Sequence, residues 1–302
     1  MANKNLHLPA IRGQYKYNEP MKNYTWLNVG GPAEVMFFPQ DIKDLQKFMR
    51  EKPQDTDVFV LGGGSNLLVR DQGIHGVVIK MSGPEFSRCV VEDGFLCCDA
   101  GMKNFNLKDV LLKNQIGGLE FLCSIPGSIG GAVKGNAGCF GSSMSDVTDR
   151  VSVMDGAGNI FTVSSDQLGF DYRQSHFPSD WIILKVWLKY EKSTVADIQN
   201  KIDAQRQYRL DHQPQGIRTA GSTFKNPQGF RAWELIQKSG VAQLKVGGAK
   251  MSDKHCNFIE NDGTASAAEI ESLCDQIIWT VKEKTGVCLE WEIQRIGEGK
   301  DN

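Results

Sequence analysis

Residues 117–141 read GGLEFLCSIPGSIGGAVKGNAGCFG, and this stretch decides what kind of fold the chain can have. Eight of its residues are glycine, which is too many for a regular helix or strand. Its Leu, Phe, Ile and Val side chains also make it too apolar for a solvated linker. A backbone that is both buried and irregular must find hydrogen-bond partners for its amides. Successive N–H groups can bind an anion, so a phosphate-bearing ligand lying along the loop would satisfy them.

The composition sets the class of protein. The 302-residue chain is long enough for two or three domains, and its 32 glycines stand against only 10 prolines, which excludes collagen-like and disordered chains. The net charge of −2 and the absence of a signal peptide or a long apolar run predict a cytoplasmic protein with no nucleic-acid or membrane partner. The eight cysteines lack zinc-site spacing, so we expect reduced thiols and no metal site.

Helical and strand-like patterns alternate along the chain, and several strands are joined by hairpin signals such as Asp93-Gly94 and Asp155-Gly156. This mixture favours an α+β fold over a doubly wound parallel sheet. The strongest patterns predict hairpins within Cys89–Cys98 and Val151–Val163, helices over Asp41–Lys52, Thr194–Arg209 and Ala265–Lys284, and a last strand over Val287–Ile296.

A second glycine cluster follows the predicted strand Asp57–Leu61, in VLGGGSNLL (60–68). It lacks the dinucleotide-binding pattern G-x-G-x-x-G, because Leu67 stands where the third glycine would be, and the P-loop pattern is also absent. A plain tight turn is the alternative for this loop alone. Two glycine clusters in one chain favour phosphate or dinucleotide binding.

The polar candidates do not by themselves identify a reaction. Arg173 could form a surface ion pair, and Ser222 lies in a segment, GSTFKNP (221–227), that could be an ordinary polar loop. His255 has no second ligand at helical spacing and is better interpreted as structural than as metal-binding. Glu290 and Glu292 share one face of the predicted last strand, where exposed charges are also common.

Seven motifs taken together carry a resemblance to a known family. They are TWLNVGGPAEV (25–35), LGGGSNLLV (61–69), GLEFLCSIPGSIGGAVKGNAGCFG (118–141), FDYRQSHF (170–177), AGSTFKNP (220–227), KHCNFIEN (254–261) and LEWEIQRIG (289–297). Through these motifs the chain resembles the UDP-N-acetylenolpyruvoylglucosamine reductases, also called UDP-N-acetylmuramate dehydrogenases. The resemblance runs in family order over nearly the whole chain.

The resemblance implies an FAD-binding portion of the vanillyl-alcohol-oxidase type, made of two α+β subdomains (1–82 and 83–212), and a C-terminal α+β substrate domain (213–302). It implies non-covalent FAD, since residues 62–67 contain no His or Cys. The residues matched to the cofactor are Leu61, Gly62, Gly63, Gly64, Ser65, Asn66, Leu67, Ile125, Pro126, Gly127, Ser128, Gly130, Gly131, Asn136, Ala137 and Gly138.

The implied reaction reduces the enolpyruvyl group of UDP-N-acetylglucosamine enolpyruvate to UDP-N-acetylmuramate, a peptidoglycan precursor, with NADPH as co-substrate. Hydride would pass from flavin N5 to C3 of the enolpyruvyl group, and Ser222 would donate a proton to C2. Arg173 and Glu292 match the residues that stabilise the charge developing at C2 and the carboxylate. A carboxyl beside a forming enolate is useful when protonated, so we expect a raised pKa for Glu292.

Tyr172, Lys225 and Asn226 match substrate-binding positions, whereas the choice of diphosphate donor among Arg209, His212 and Arg218 stays open. Only 48 residues separate Arg173 from Ser222, which implies the short type that lacks a substrate-closing Tyr loop. We expect a monomer acting on a UDP-sugar.

Two other functions remain as alternatives, a flavin oxidase of the same superfamily and a non-catalytic flavin- or UDP-sugar-binding protein. The Ser222 segment argues against the first, and the complete set of Arg173, Ser222 and Glu292 argues against the second. If the clustered glycines are there to contact the cofactor, a bulky residue at Gly63 or Gly130 should weaken FAD retention before it weakens the fold.

Overall fold

The computed structural model describes residues 7–299, which divide into two compact units. The first unit comprises the described residues up to Tyr17 together with Val35–Gly63 and Gly76–Gln207, and the second comprises Asn18–Glu34, Gly64–His75 and the described residues from Tyr208 onward. The three-part division at 82/83 and 212/213 stays a prediction, and its outermost residues (1–6 and 300–302) lie outside the described part of the chain.

The elements mix helices and strands throughout, which confirms the predicted α+β class. The strands are β1 (Gln14–Pro20), β2 (Pro32–Phe38), β3 (Val58–Val60), β4 (Leu67–Val69), β5 (Ile74–Ile79), β6 (Cys89–Glu92), β7 (Phe95–Asp99), β8 (Ile116–Gly117), β9 (Gly138–Cys139), β10 (Ser142–Ser143), β11 (Thr148–Met154), β12 (Ile160–Ser164), β13 (Ile182–Leu188), β14 (Glu191–Lys192), β15 (Lys245–Val246), β16 (Ala249–Met251), β17 (Ile259–Asn261) and β18 (Gln294–Ile296). The α-helices are α1 (Ile42–Glu51), α2 (Leu107–Asn114), α3 (Ile129–Lys134), α4 (Met144–Val147), α5 (Val195–His212), α6 (Ala232–Lys238) and α7 (Ala267–Thr285). Within residues 7–299, no helix is both long and apolar enough to cross a membrane.

The first unit contains an antiparallel sheet of order β12-β11-β13-β7-β6. Both predicted hairpins are confirmed in it. Asp93 and Gly94 join β6 to β7 with φ angles of 50° and 78°, the left-handed conformation that a two-residue hairpin turn requires. In the other hairpin, Val151 pairs with Val163. β7 ends beside Ala100, which places this sheet next to the glycine-rich segment.

A four-stranded sheet of order β1-β2-β5-β3 carries α1. The helix begins as its sequence predicts, with the Asp41 side chain accepting a hydrogen bond from the Asp44 amide, 2.9 Å away. Leu45 and Phe48 are fully buried, and the Phe48 ring lies 4.7 Å from the ring of Phe37 on β2. This packing fixes the sheet from which the loop after β3 emerges.

The second unit packs α6 and α7 against the sheet β15-β16-β17, while β18 pairs in parallel with β4. The helix predicted over Ala265–Lys284 is confirmed as α7. Its N-terminus is capped by the Ser266 hydroxyl, and it ends at Gly286, whose φ of 73° suits glycine.

Two predictions differ from the structure. Only residues 294–296 of the predicted strand Val287–Ile296 are a strand, because the backbone before them bonds to an irregular segment around Thr223 instead of to a sheet. The glycine-rich stretch also contains more regular structure than expected, namely α3 and a 3-10 helix over Glu120–Ser124.

Candidate active site

The two glycine clusters lie against each other within the first unit. A Cβ atom built at Gly62 would stand 3.0 Å from the Ser128 hydroxyl, and one built at Gly63 would stand only 2.5 Å from the Cα of Gly127. The two backbones therefore approach each other directly at Gly63, and at Gly62 only the Ser128 hydroxyl stands between them. This is the arrangement that a flat or diphosphate-bearing ligand needs for close backbone contact.

Part of this glycine content is required by the protein itself. A Cβ at Gly130 would approach the Ala100 Cβ to 2.8 Å, and the Gly130 amide donates to the Ala100 carbonyl at 2.8 Å. A substitution at Gly63 or Gly130 would therefore strain the fold as well as the predicted cofactor surface, and the expectation that FAD retention weakens before the fold stays a prediction. Both glycines are in contact with atoms of the protein that would have to move.

Gly131 is different and provides the test of whether the site fits the cofactor. It is exposed on α3, and a Cβ there would meet only the Ser128 hydroxyl, at 3.4 Å. A glycine inside a helix costs about 0.5–1 kcal/mol relative to alanine, and the packing of the protein gives no reason for it here. The open space beside Gly131 and Gly62, which we call the open cradle, thus fits a ligand that must approach the backbone closely.

The predicted cofactor residues differ in exposure. Those with accessible atoms are Gly62, Gly63, Ser65, Asn66, Ile125, Pro126, Gly127, Gly130, Gly131, Ala137 and Gly138, whereas Leu61, Gly64, Leu67, Ser128 and Asn136 are buried. Six of these eleven accessible residues are glycines, which can offer a ligand only their backbone, as expected for a loop that binds through amides.

Lys80, a residue not predicted from the sequence, adds a charge next to this surface. Its ammonium group donates to the Gly62 carbonyl. Burial, and after it the like charge of Lys103, lowers the pKa of Lys80 to about 8. A partly desolvated cation on the glycine loop favours an anionic ligand. Its only sequence signal was a lysine at the end of an apolar strand.

Asn104 and Asn136 hold the glycine-rich segment in place. Asn104 is fully buried, and its Nδ2 donates to the Ile125 carbonyl at 3.2 Å. Asn136 accepts from the Ser145 amide and donates to the Asp171 carbonyl, each at 2.9 Å. The amide of Asn136 is therefore engaged with the protein, and it links the predicted cofactor loop to the segment that carries Arg173.

Arg173 lies at the tip of a tight turn. Asp171 and Gln174 exchange backbone hydrogen bonds at 3.0 and 3.1 Å, which leaves Tyr172 and Arg173 between them. Arg173 has a φ of 59°, an uncommon angle for a residue with a side chain, and its guanidinium lies 5.1 Å from the centre of the Tyr172 ring. The turn presents both predicted site residues together in the first unit.

In the second unit, the remainder of the predicted cofactor loop is bonded to the segment of Glu292. The Asn66 side chain donates to the Glu292 carbonyl at 3.0 Å, and the Gln294 amide donates to the Asn66 carbonyl at 3.1 Å. Gly64 is held with a φ of 66°, and a Cβ there would collide with the Tyr24 carbonyl. The position of Glu292 is thus tied to the loop.

Ser222 is placed beside the same segment. The Glu292 amide donates to the Thr223 carbonyl at 2.8 Å, and the Lys225 amide donates to the Glu290 carbonyl at 2.9 Å. Within the described part of the chain, no residue forms a hydrogen bond with the Ser222 hydroxyl. The structure therefore brings Ser222 and Glu292 together in one unit and leaves the hydroxyl able to donate.

The roles of Lys225 and Asn226 in substrate binding stay predictions, and the structure shows how each is held. Lys225 is half-buried, 3.9 Å from Glu290, and the Asn226 side chain accepts from the Ala232 amide at the start of α6. The three candidate diphosphate donors make different contacts within the protein. The Arg209 guanidinium donates to the Gln213 side chain, and the His212 ring stacks on the ring of Tyr208. The Arg218 carbonyl accepts from the backbone amide of Asn261.

His255 and Asn257 belong to the motif KHCNFIEN (254–261), in which the resemblance implies no role for Asn257. The backbone amide of Asn257 donates to His255 Nδ1 at 3.2 Å. Burial lowers the pKa of His255, and the nearby charge of His212 acts in the same direction. His255 packs between the rings of Trp233 and Phe258, and its structural interpretation stays a prediction.

Comparison with known proteins identifies the family. Residues 213–296 match the family model of the UDP-N-acetylenolpyruvoylglucosamine reductase C-terminal domain, and residues 33–164 match that of an FAD binding domain. The chain is 43% identical to UDP-N-acetylenolpyruvoylglucosamine reductase of Rickettsia peacockii over 97% of its own length and 99% of the relative's. It is 42% identical to the Paramagnetospirillum magneticum enzyme of the same name, over 97% and 95% of the two chains.

A solved structure agrees with these relatives. The UDP-N-acetylenolpyruvylglucosamine reductase of Thermus caldophilus matches with a TM-score of 0.80 and 34% identity, covering 95% of this chain and 99% of that one. The predicted resemblance is therefore confirmed over nearly the whole length of both proteins. The chain belongs to the UDP-N-acetylenolpyruvoylglucosamine reductase family and is an FAD-dependent oxidoreductase.

Proposed function

We propose that this protein reduces the enolpyruvyl group of UDP-N-acetylglucosamine enolpyruvate to give UDP-N-acetylmuramate for peptidoglycan synthesis in the cytoplasm, with NADPH as electron donor. The observation that carries the proposal is the pairing of the Ser222 and Glu292 segments through the 2.8 Å hydrogen bond from the Glu292 amide to the Thr223 carbonyl. An oxidase would have no use for a proton donor there.

The backbone amides of the two glycine loops would hold FAD. The positive charges of Lys80 and Lys103 would attract its negatively charged diphosphate. When bound, FAD supplies the hydride equivalent that the reduction requires. The open cradle at Gly131 supports this assignment, because no atom of the protein explains a glycine there.

The chain's own residues would supply the proton and stabilise the charge. Ser222 has an unengaged hydroxyl and would donate its proton to C2 of the enolpyruvyl group. Arg173 would bind the substrate carboxylate, on which negative charge develops, and Glu292 would assist it in the protonated form. Preorganised groups of this kind stabilise a developing charge without having to reorient during the reaction.

Substrate binding would involve Tyr172, Lys225 and Asn226. Tyr172 is 47% exposed and offers a ring face, while the half-buried Lys225 offers a positive charge suited to a diphosphate. Asn226 uses its Oδ1 on the start of α6, so its Nδ2 would be the group that donates to the substrate.

The test separates the two halves of the reaction. Anaerobic NADPH should bleach the flavin of the purified protein, and UDP-N-acetylglucosamine enolpyruvate should restore the colour without oxygen. Recolouring that requires oxygen would instead indicate an oxidase. Ser222→Ala should be bleached at the normal rate and recolour at least roughly 100-fold more slowly, as expected when a general acid is removed. Normal recolouring of this variant would exclude Ser222 as the donor.

A further inference from the structure

The Asn257 side chain makes an unusual pair of hydrogen bonds with the backbone segment that carries Ser222. It is only 4% exposed, its Oδ1 accepts from the Phe224 amide at 3.0 Å, and its Nδ2 donates to the Phe224 carbonyl at 2.9 Å. One side chain thereby satisfies both backbone groups of a single residue, as a neighbouring β-strand would. The proposed function gives no role to this amide.

The main chain of Asn257 extends the contact toward the proposed donor. Its carbonyl accepts from the Thr223 amide at 2.8 Å, while the Thr223 carbonyl accepts from the Glu292 amide on the other side. Residues 223 and 224 are therefore clamped between Asn257 and the Glu292 segment. Because the Ser222 hydroxyl has no hydrogen bond of its own in the described structure, its position depends on this backbone.

Burial makes the clamp necessary. Thr223 and Phe224 are both 0% exposed, so without the Asn257 amide the two backbone groups of Phe224 would be buried without partners. The segment could satisfy them only by moving, and Ser222 lies two residues away. We propose that Asn257 is a positioning residue that holds Ser222 in place for proton donation, an inference that rests on the proposed function.

The test uses a substitution whose effect depends on pH. In Asn257→Asp, a protonated carboxyl can both accept from the Phe224 amide and donate to the Phe224 carbonyl, whereas an ionised carboxyl can only accept. The rate of flavin recolouring by the UDP-sugar, relative to wild type, should therefore rise as the pH falls. Asn257→Ala cannot recover in this way, and its relative rate should stay roughly 100-fold low at every pH, the loss expected from a displacement of about 1 Å.

Asn261 provides a matched control. It is 5% exposed at the end of β17, its Nδ2 donates to the Leu27 carbonyl at 2.7 Å, and its Oδ1 accepts from the Gly263 amide at 2.7 Å. Its side chain therefore serves a similar backbone-bonding purpose, but its partners lie outside the segment of residues 222–224. Asn261→Ala should lower thermal stability but keep the recolouring rate of the wild type at saturating UDP-sugar.

The outcomes of these measurements decide between the proposal and its alternatives. Slow recolouring with normal NADPH bleaching in both Asn257 variants, with recovery of Asn257→Asp at low pH, supports the proposal. Equal slowing of both half-reactions, a flat relative pH profile for Asn257→Asp, or equal slowing in Asn261→Ala overturns it. If the wild-type flavin itself fails to recolour, the proposed function is wrong, so the two failures are distinguishable.

Discussion

Replacing Gly131 by alanine separates the requirements of the fold from those of the cofactor. The new methyl group would lie on α3, where it meets only the Ser128 hydroxyl, at 3.4 Å. Alanine in place of a helical glycine stabilises a protein by about 0.5–1 kcal/mol. For a domain of this size, the melting temperature of the FAD-free protein should therefore rise by about 1–4 °C.

The same methyl group would occupy space that we assign to the bound cofactor. Inserting a methyl group into a well-packed contact costs about 1–3 kcal/mol, which corresponds to a rise of about 5- to 150-fold in the Kd for FAD. Stability and affinity should thus change in opposite directions. Few substitutions that simply damage a fold would behave in this way.

The assay measures both quantities on protein from which FAD has been removed, by thermal unfolding and by titration of flavin fluorescence. Gly130→Ala is the control, because its methyl would be 2.8 Å from the Ala100 Cβ and should lower the melting temperature of the FAD-free protein. An unchanged Kd in Gly131→Ala would refute the reasoning and place the cofactor elsewhere.

Three further predictions follow from single side chains. Lys80 should lose its charge as the pH rises through about 8, so FAD titrations should show affinity falling above that pH in wild type but not in Lys80→Met. Because burial lowers the pKa of His255, unfolding in urea should require less denaturant as the pH falls below His255's ordinary value toward its folded one, and His255→Gln should show a smaller decline. Asn136→Ala should free the turn of Arg173 and slow flavin recolouring by the UDP-sugar more than it weakens FAD binding, and the reverse pattern would contradict the link.

Local signals allowed much of the fold to be predicted. The hairpin at Asp93-Gly94 and the start of α1 at Asp41 depend on residues within one turn of each other, so sequence pattern alone identifies them. The last strand was mispredicted because the alternation of Leu289, Trp291 and Ile293 reflects burial against an irregular segment rather than membership of a sheet. Alternating burial does not require strand pairing.

The site was predicted less completely, since much of it depends on contacts between distant residues. The resemblance supplied Arg173, Ser222 and Glu292, whose roles stay predictions. It could not supply Asn257, whose partner Phe224 lies 33 residues away and presents only its backbone, which leaves no trace in residue type. Lys80 was missed for the same reason, because its partner is the Gly62 carbonyl.

The excess of glycine has several physical origins, and only one of them concerns a ligand. At Gly63 and Gly130 a side chain would collide with the protein, and at Gly64 the backbone angle also excludes it. Gly94 has open space around it but needs its positive φ for a turn. At Gly131 neither the surrounding atoms nor the backbone angle requires a glycine, although the helix would be more stable with alanine. Gly131 is therefore a stronger indication of a closely approaching cofactor than the number of glycines, because the protein alone accounts for many of the others.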